Sequence, residues 1–227
     1  MKPQREDVRV LADATPLDGI LDVPPRTAGI VLFAHGSGSS RHSPRNRFVA
    51  NELHKAGIAT LLMDLLTPAE DRDHARRFDI ALLTGRLIAT MCWVRRHSAT
   101  ARMRIGLFGA STGAAAALQA AALQGNTVAA VVSRGGRSDL AGDTALASVV
   151  SPTLLIVGEH DDVVIELNRE AYTHLQCEKR MDIVPAATHL FEEPGTLEVV
   201  ARLARSWFVA HLEQGPASGL DSSRVKA

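Results

Sequence analysis

Cysteine is nearly absent: the 227 residues hold two, Cys92 and Cys177. Neither has a neighbour at metal-ligand spacing, so no metal centre is expected. A lone disulfide in a chain of this size is not expected either, and free thiols fit a reducing cytoplasm. Cys92 falls in an apolar helical pattern, where a free thiol is expected to act as a small buried hydrophobe. An excess of either charge is also missing. Twenty-five basic residues balance 25 acidic ones and the pI is near 7.1, which gives neither nucleic acid nor an anionic membrane a reason to bind. Long apolar runs are lacking too: none reaches 18 residues, so no membrane-spanning helix is expected. The charged opening "MKPQREDVRV" has no apolar stretch of the kind a signal peptide needs.

What is present is a series of strand-length apolar runs, each bounded by turn residues and followed by a helical pattern. These are "GIVLFAHGSG" (29–38), "IATLLMDLL" (58–66), "RIGLFGAS" (104–111), "VAAVVSRGG" (128–136), "PTLLIVGEHDD" (152–162) and "RMDIVPAATH" (180–189). Continuous apolar runs, rather than alternating ones, predict strands covered on both faces. Between them, Ile80, Leu83, Leu87, Met91 and Val94 recur at helical spacing, as do Leu197, Val200, Leu203, Ala204 and Trp207 behind Pro194. Strands alternating with helices predict an α/β fold with a doubly wound, mostly parallel sheet. The opening "VRVLADATPLDGILDVP" reads instead as a hairpin, which adds an antiparallel edge. Residues 1–213 are expected to form one domain. The stretch 214–227 is small and polar and reads as a disordered tail.

Gly109-Ala110-Ser111-Thr112-Gly113 stands where a buried strand meets an alanine-rich helix. It matches the G-x-S-x-G nucleophile elbow, in which a sharp turn lifts a serine hydroxyl out of the end of the sheet. Small residues two before and two after leave room for that turn, and the following helix aims its N-terminal N–H groups at a developing oxyanion. A serine needs a base and an orienting acid, here expected in the order Ser, acid, His. Of the downstream histidines His160, His174, His189 and His211, two lie in helical patterns. His189 follows the last strand at the ligand-binding end of an open α/β sheet, and is the candidate base. The loop "VGEHDDVV" offers Glu159, Asp161 and Asp162 as acids. One oxyanion donor is expected from the N–H of Thr112 and another from the loop His35-Gly36-Ser37-Gly38.

In order, "FAHGSGSS", "GASTG", "PTLLIVGEHDDVV" and "ATHLF" resemble the α/β-hydrolase superfamily, and within it the dienelactone hydrolase-like hydrolases, over residues 17 to 213. The resemblance implies an α/β-hydrolase fold of about eight strands. It selects Asp161, three residues after the strand-ending glycine; Asp162 stays open as the acid, with capping of the next helix as its simpler role. It also implies Ser37 as the second oxyanion donor, with Gly38 behind it, and His35 as a brace for the loop. One departure matters: dienelactone hydrolase proper carries cysteine at the elbow where this chain has Ser111, so the namesake's substrate does not carry over. "SSRHSPRNRFVA" and "VVSRGGRSDLAGD" resemble hydrolase modules sometimes fused to phosphoribosyltransferases, and no such second domain is expected here.

Arg41, Arg45, Arg134 and Arg137 follow strand ends on the active-site side. They could hold a substrate carboxylate, with Gly38, Arg41 and Arg134 the substrate-contact candidates. Ion pairing with Asp139, Glu192 or Glu193 is the simpler alternative. Nineteen residues, 134 to 152, lie between the strand expected to end near Ser133 and the one expected to begin at about Thr153, too few for the helical cap that hydrolases resembling this one often insert there. The expectation is a serine hydrolase of short-acyl esters, lactones or thioesters, needing no cofactor, and monomeric or homodimeric. Its rivals are an acyltransferase or peptidase on the same triad, and a ligand receptor built on the fold.

Overall fold

The structure, a computed structural model, describes residues 4–25, 27 and 29–212; the tail expected at 214–227 lies outside them. The chain opens with the expected hairpin, β1 (Gln4–Ala12) against β2 (Thr15–Val23). Its two-residue turn holds Asp13 and Ala14 at φ 50° and 69°, the left-handed pair that lets a tight turn follow the twist of the strands. Then come β3 (Gly29–Ala34), α1 (Pro44–Lys55), β4 (Ala59–Met63), α2 (His74–Arg77) and α3 (Ile80–Val94). The second half runs β5 (Arg104–Ala110), α4 (Thr112–Gln124), β6 (Val128–Arg134), α5 (Asp143–Ser148), β7 (Thr153–Gly158), α6 (Asp162–His174), β8 (Lys179–Val184) and α7 (Thr196–Leu212).

One eight-stranded sheet results, in the order β1-β2-β4-β3-β5-β6-β7-β8. β2 pairs antiparallel with β1 and β4, and every pair from β4–β3 to β7–β8 is parallel. The expected doubly wound architecture is therefore present. The apolar runs fill both faces, as period-2 side-chain alternation requires when helices cover each side. Leu32, Leu61, Leu107 and Val131 face α3 and the alanines of α4, while Val31, Phe33, Val132 and Ile156 face α1 and α7. β8 departs from the pattern: it is an edge strand in which Val184 alone is buried. Among the described residues, no helix is long and apolar enough to cross a membrane.

One expectation about a helix face needs correction. Cys92 is exposed. It follows buried Met91 on α3, and a step of one residue turns the side chain about 100° away from the Leu83–Leu87–Met91–Val94 stripe. In α7 the buried stripe is Val200, Ala201, Ala204, Phe208 and Leu212. Trp207 stands at its border, where the indole N–H reaches Pro152 O at 3.3 Å. A polar tip that needs a partner favours such a border over the core, and Phe208 takes the inside position. Between β6 and β7 the chain forms only a 3₁₀ turn (Ser138–Ala141) and the six-residue α5, so no cap domain grows from this connection.

Candidate active site

The elbow is formed. Ser111 joins β5 to α4 with φ 50° and ψ −123°, a backbone conformation that costs a non-glycine residue about 1–3 kcal/mol. The neighbouring glycines permit it. A Cβ on Gly109 would lie 2.6 Å from Gly113 O, and one on Gly113 would lie 2.6 Å from His35 O. Larger residues at either place would push strand and helix apart. Ser111 occupies the N-cap position of α4 yet makes no side-chain capping bond, which leaves its hydroxyl for other chemistry. Its backbone is held on both sides by the end of β6 and the loop after it: Ser111 N donates to Arg134 O at 3.3 Å and Arg137 N donates to Ser111 O at 3.0 Å.

His189 lies between β8 and α7, and Asp161 between β7 and α6. Their side chains meet, His189 Nδ1 to Asp161 Oδ2 at 2.6 Å. An ionised carboxylate only accepts, so the proton sits on Nδ1 and leaves the Nε2 lone pair free. Backbone bonds lock the two loops together: Glu159 N reaches Val184 O at 3.0 Å and His160 N reaches Ala187 O at 2.9 Å. Glu159 adds a clamp from its carboxylate to Ala186 N at 2.7 Å. Asp161 stands at the N-cap of α6 but does not cap it; Asp162 is instead the first helical residue and exposed. The capping role expected for Asp162 is thus absent. Its charge in the first turn still favours the helix dipole.

Gly135 connects the two halves of the site. It follows Arg134, whose carbonyl holds Ser111, and a Cβ on it would lie 3.0 Å from His189 O and 3.5 Å from His189 Nδ1. Ser111, Asp161 and His189 therefore share the C-terminal end of the sheet. Asp161 and His189 are joined directly. Among the described residues no hydrogen bond links Ser111 Oγ to the imidazole, a contact that commonly tightens only with substrate bound. His174 and His211 lie elsewhere, near Asp143 and Glu178 at 3.7 Å each.

The loop after β3 approaches from the other side, with Ser37 N donating to Thr112 Oγ1 at 3.1 Å. This bond brings the Ser37 N–H beside the first residue of α4, whose own N–H heads the helix. His35 is 6% exposed and braces the loop as expected. Its Nε2 accepts from Leu65 N at 3.0 Å, so Nδ1 carries the proton toward Gly36 O at 2.9 Å. Both ring nitrogens are occupied.

The arginines divide. Arg41 pairs with Asp64 and reaches Asp18 at 3.7 Å; sequence reading did not find these partners, which lie on and just after the neighbouring strands β2 and β4. Arg45 pairs with Glu192 at 2.8 Å, and Arg137 binds Asp139 through two bonds of 2.9 and 2.8 Å. Arg134 is 7% exposed, and no carboxylate among the described residues pairs with it. It makes a long contact to Asn46 Oδ1 (3.5 Å), and its Cζ lies 5.8 Å from the Phe191 ring centroid. Burial, and behind it the like charge of Arg45, pull its guanidinium down to about 10. It stays cationic at neutral pH. Glu159, a candidate acid in the sequence, serves instead as the clamp on Ala186 N, and Phe191, the last residue of "ATHLF", lies under the Arg134 guanidinium, a role its motif does not announce.

The sequence pattern of the dienelactone hydrolase family matches residues 20–210. The crystal structure of a dienelactone hydrolase from Anabaena variabilis is 52% identical, covers 93% of this chain and 99% of its own, and superposes with a TM-score of 0.89. Est1E from Butyrivibrio proteoclasticus shares the fold at 14% identity, covering 92% of this chain and 99% of its own, with a TM-score of 0.78. A Mycobacterium tuberculosis H37Rv protein, provisionally named a phosphoribosyl transferase, is 59% identical over 207 residues. Those residues are 91% of this chain and 46% of that protein, so the chain spans about half the length of this relative. On the family pattern and the similarity to the Anabaena protein, the chain belongs to the dienelactone hydrolase family.

Proposed function

We propose that the protein is a serine hydrolase that cleaves short-acyl carboxylic esters, lactones or thioesters through an acyl-enzyme. The observation that carries this is the 2.6 Å Asp161–His189 bond at the same sheet end as the strained, uncapped Ser111. In the reaction, Ser111 Oγ attacks the carbonyl carbon and its proton passes to His189 Nε2. Asp161 holds the imidazole and stabilises the imidazolium. The N–H groups of Thr112 and Ser37 take the oxyanion, the latter leaving Thr112 Oγ1 as charge develops. The imidazolium protonates the leaving oxygen or sulfur, and water then repeats the sequence to free the acid.

Among the substrate-contact candidates, Arg134 is the one left without an acid partner, and we assign it to an anionic substituent of the substrate. Arg41 is engaged by Asp64, and Gly38 lines the oxyanion loop. The two cysteines are free, in keeping with work in the cytoplasm. The name of the mycobacterial relative belongs to a protein twice as long. The groups that converge here, a hydroxyl, an imidazole and two backbone donors, suit acyl transfer.

The test is hydrolysis of p-nitrophenyl butyrate together with labelling by a fluorophosphonate probe. Multiple turnover and labelling of Ser111 are expected, with a loss of about 10³-fold or more in kcat for Ser111→Ala. Single turnover would point to a ligand receptor. Wild-type kcat in purified Ser111→Ala would overturn the proposal.

A further inference from the structure

Ser133, Ser138 and Asn168 form a polar cluster under the site, each 0% exposed, with no part in the chemistry above. Buried polar groups need partners, and here the proton count closes. Ser138 Oγ donates to Asn168 Oδ1 at 2.9 Å. That uses its one proton, so the 3.2 Å contact with Ser133 Oγ runs from Ser133 to Ser138. Asn168 Nδ2 donates both protons, to Gly136 O at 2.7 Å and to Val164 O at 2.8 Å. The amide has one workable orientation, because the flipped one would set Oδ1 against two carbonyl oxygens.

The cluster acts on residues 134–138. Arg134 and Arg137 in this loop grip the backbone of Ser111, and Gly135 lies against His189. Gly136 is wedged between the cluster and the nucleophile helix; a Cβ there would overlap Ser133 Oγ and come within 2.5 Å of Ala114 Cβ. Asn168 also sits two turns along α6 from Asp161, on the same helical face. One amide thus ties the segment that holds the Ser111 backbone to the helix that follows Asp161.

We infer that Asn168 is a positioning residue: through Gly136 it sets the placement of Ser111 relative to the Asp161–His189 pair. The inference rests on the reading of Ser111 as the nucleophile. An amide is the side chain suited to the task, since it must donate twice on one side and accept once on the other. Aspartate at this place sets an oxygen against the two carbonyls, and only its protonated form regains one donor.

The experiment compares Asn168→Asp and the milder Ser138→Ala with Leu87→Ala, a core substitution on α3 remote from the loop. Thermal melting, kcat and KM for p-nitrophenyl butyrate, and fluorophosphonate labelling rates are read for each. A displacement of about 1 Å costs roughly 10²-fold in rate. Asn168→Asp is accordingly expected to lower kcat and labelling by about that factor with KM nearly unchanged, and its kcat relative to wild type at the same pH is expected to recover partly as pH falls. Ser138→Ala is expected to lose about tenfold in kcat, and Leu87→Ala to melt earlier at wild-type kcat. If Asn168→Asp does not fold, Ser138→Ala decides on the same readouts. Wild-type turnover together with wild-type kcat in the folded cluster variants would overturn this inference alone. Absence of Ser111-dependent turnover in the wild type would overturn the reading of the site, and this inference with it.

Discussion

Replacing Asp161 by asparagine changes little in shape and, on the geometry above, nearly everything in rate. The carboxylate meets His189 Nδ1 at 2.6 Å, a charge-assisted bond about twice as strong as a neutral one. It has two effects: it holds the proton on Nδ1, and it stabilises the imidazolium formed when Ser111 attacks. An amide turned with its NH₂ toward the ring favours the Nε2–H tautomer, which has no lone pair for the serine proton. Loss of both effects is worth about 10³- to 10⁴-fold in kcat, or about 4 to 5.5 kcal/mol of transition-state stabilisation. Stability moves little, because Asp161 makes no side-chain capping bond to α6; a shift under about 1 kcal/mol is expected. Asp162→Asn is the matched control. That residue is exposed in the first turn, so its replacement forfeits a dipole interaction of about 0.3–1 kcal/mol and leaves kcat within about twofold. Steady-state hydrolysis of p-nitrophenyl butyrate and urea melts of the three proteins decide it. Asp161→Asn within tenfold of wild-type kcat, or a collapse confined to Asp162→Asn, would refute the assignment.

Acyl-chain preference follows from the short β6–β7 connection, whose one helix is the six-residue α5. Each buried CH₂ is worth about 0.8 kcal/mol, and an uncapped site buries few of them. kcat/KM is expected to peak among p-nitrophenyl esters of about C2 to C6, whereas a rise continuing to palmitate would reveal an apolar tunnel. His54 supplies a pH dependence of stability. Burial, reinforced by Arg5 and opposed by Asp22, lowers its pKa below the ordinary 6.5, while Nε2 contacts Thr60 Oγ1 at 2.7 Å. The unfolded chain therefore takes up the proton first as pH falls. The stability is complete above about pH 6.5 and declines below it until the folded protein is protonated as well. Urea midpoints from about pH 8 to about pH 5 should fall less steeply in His54→Gln, and parallel curves would refute this.

What could be read from the sequence is what the chain enforces over a few residues. A hydroxyl on a strand-to-helix turn needs small residues two positions away, and Gly109 and Gly113 announce it because the crowding is local. His189 was legible from its place after a strand, since sheet topology alone puts such a residue at the ligand end. The acid was a harder case. Glu159, Asp161 and Asp162 are adjacent, and only family resemblance chose among them; their separate tasks appear in three dimensions as a clamp on Ala186, a bond to His189 and a helix first turn. Helix faces were legible in period, and on α3 the Leu83–Leu87–Met91–Val94 stripe is buried as its spacing predicts, but the residues at the borders of a face were not. A one-residue step puts Cys92 in solvent and Phe208 in the core, and which neighbour a helix meets is decided by the sheet beneath it.

Asn168 marks where local reading ends. In the sequence it is one polar residue in an amphipathic helix, indistinguishable from those that face water. Its partners Ser138 and Gly136 are 30 and 32 residues away, and in the sequence Ser133 ends an apolar strand run while Ser138 looks like an ordinary loop residue. A nucleophile is recognisable because its strain is written into its flanks. The groups that hold it at the right height are uncharged, buried and contributed by separate elements, so their purpose exists only once α6 has packed beside the β6 loop. The same reasoning says where rate-altering substitutions outside the triad should gather in this fold: along buried hydrogen bonds that end on Gly136, Arg134 and Arg137.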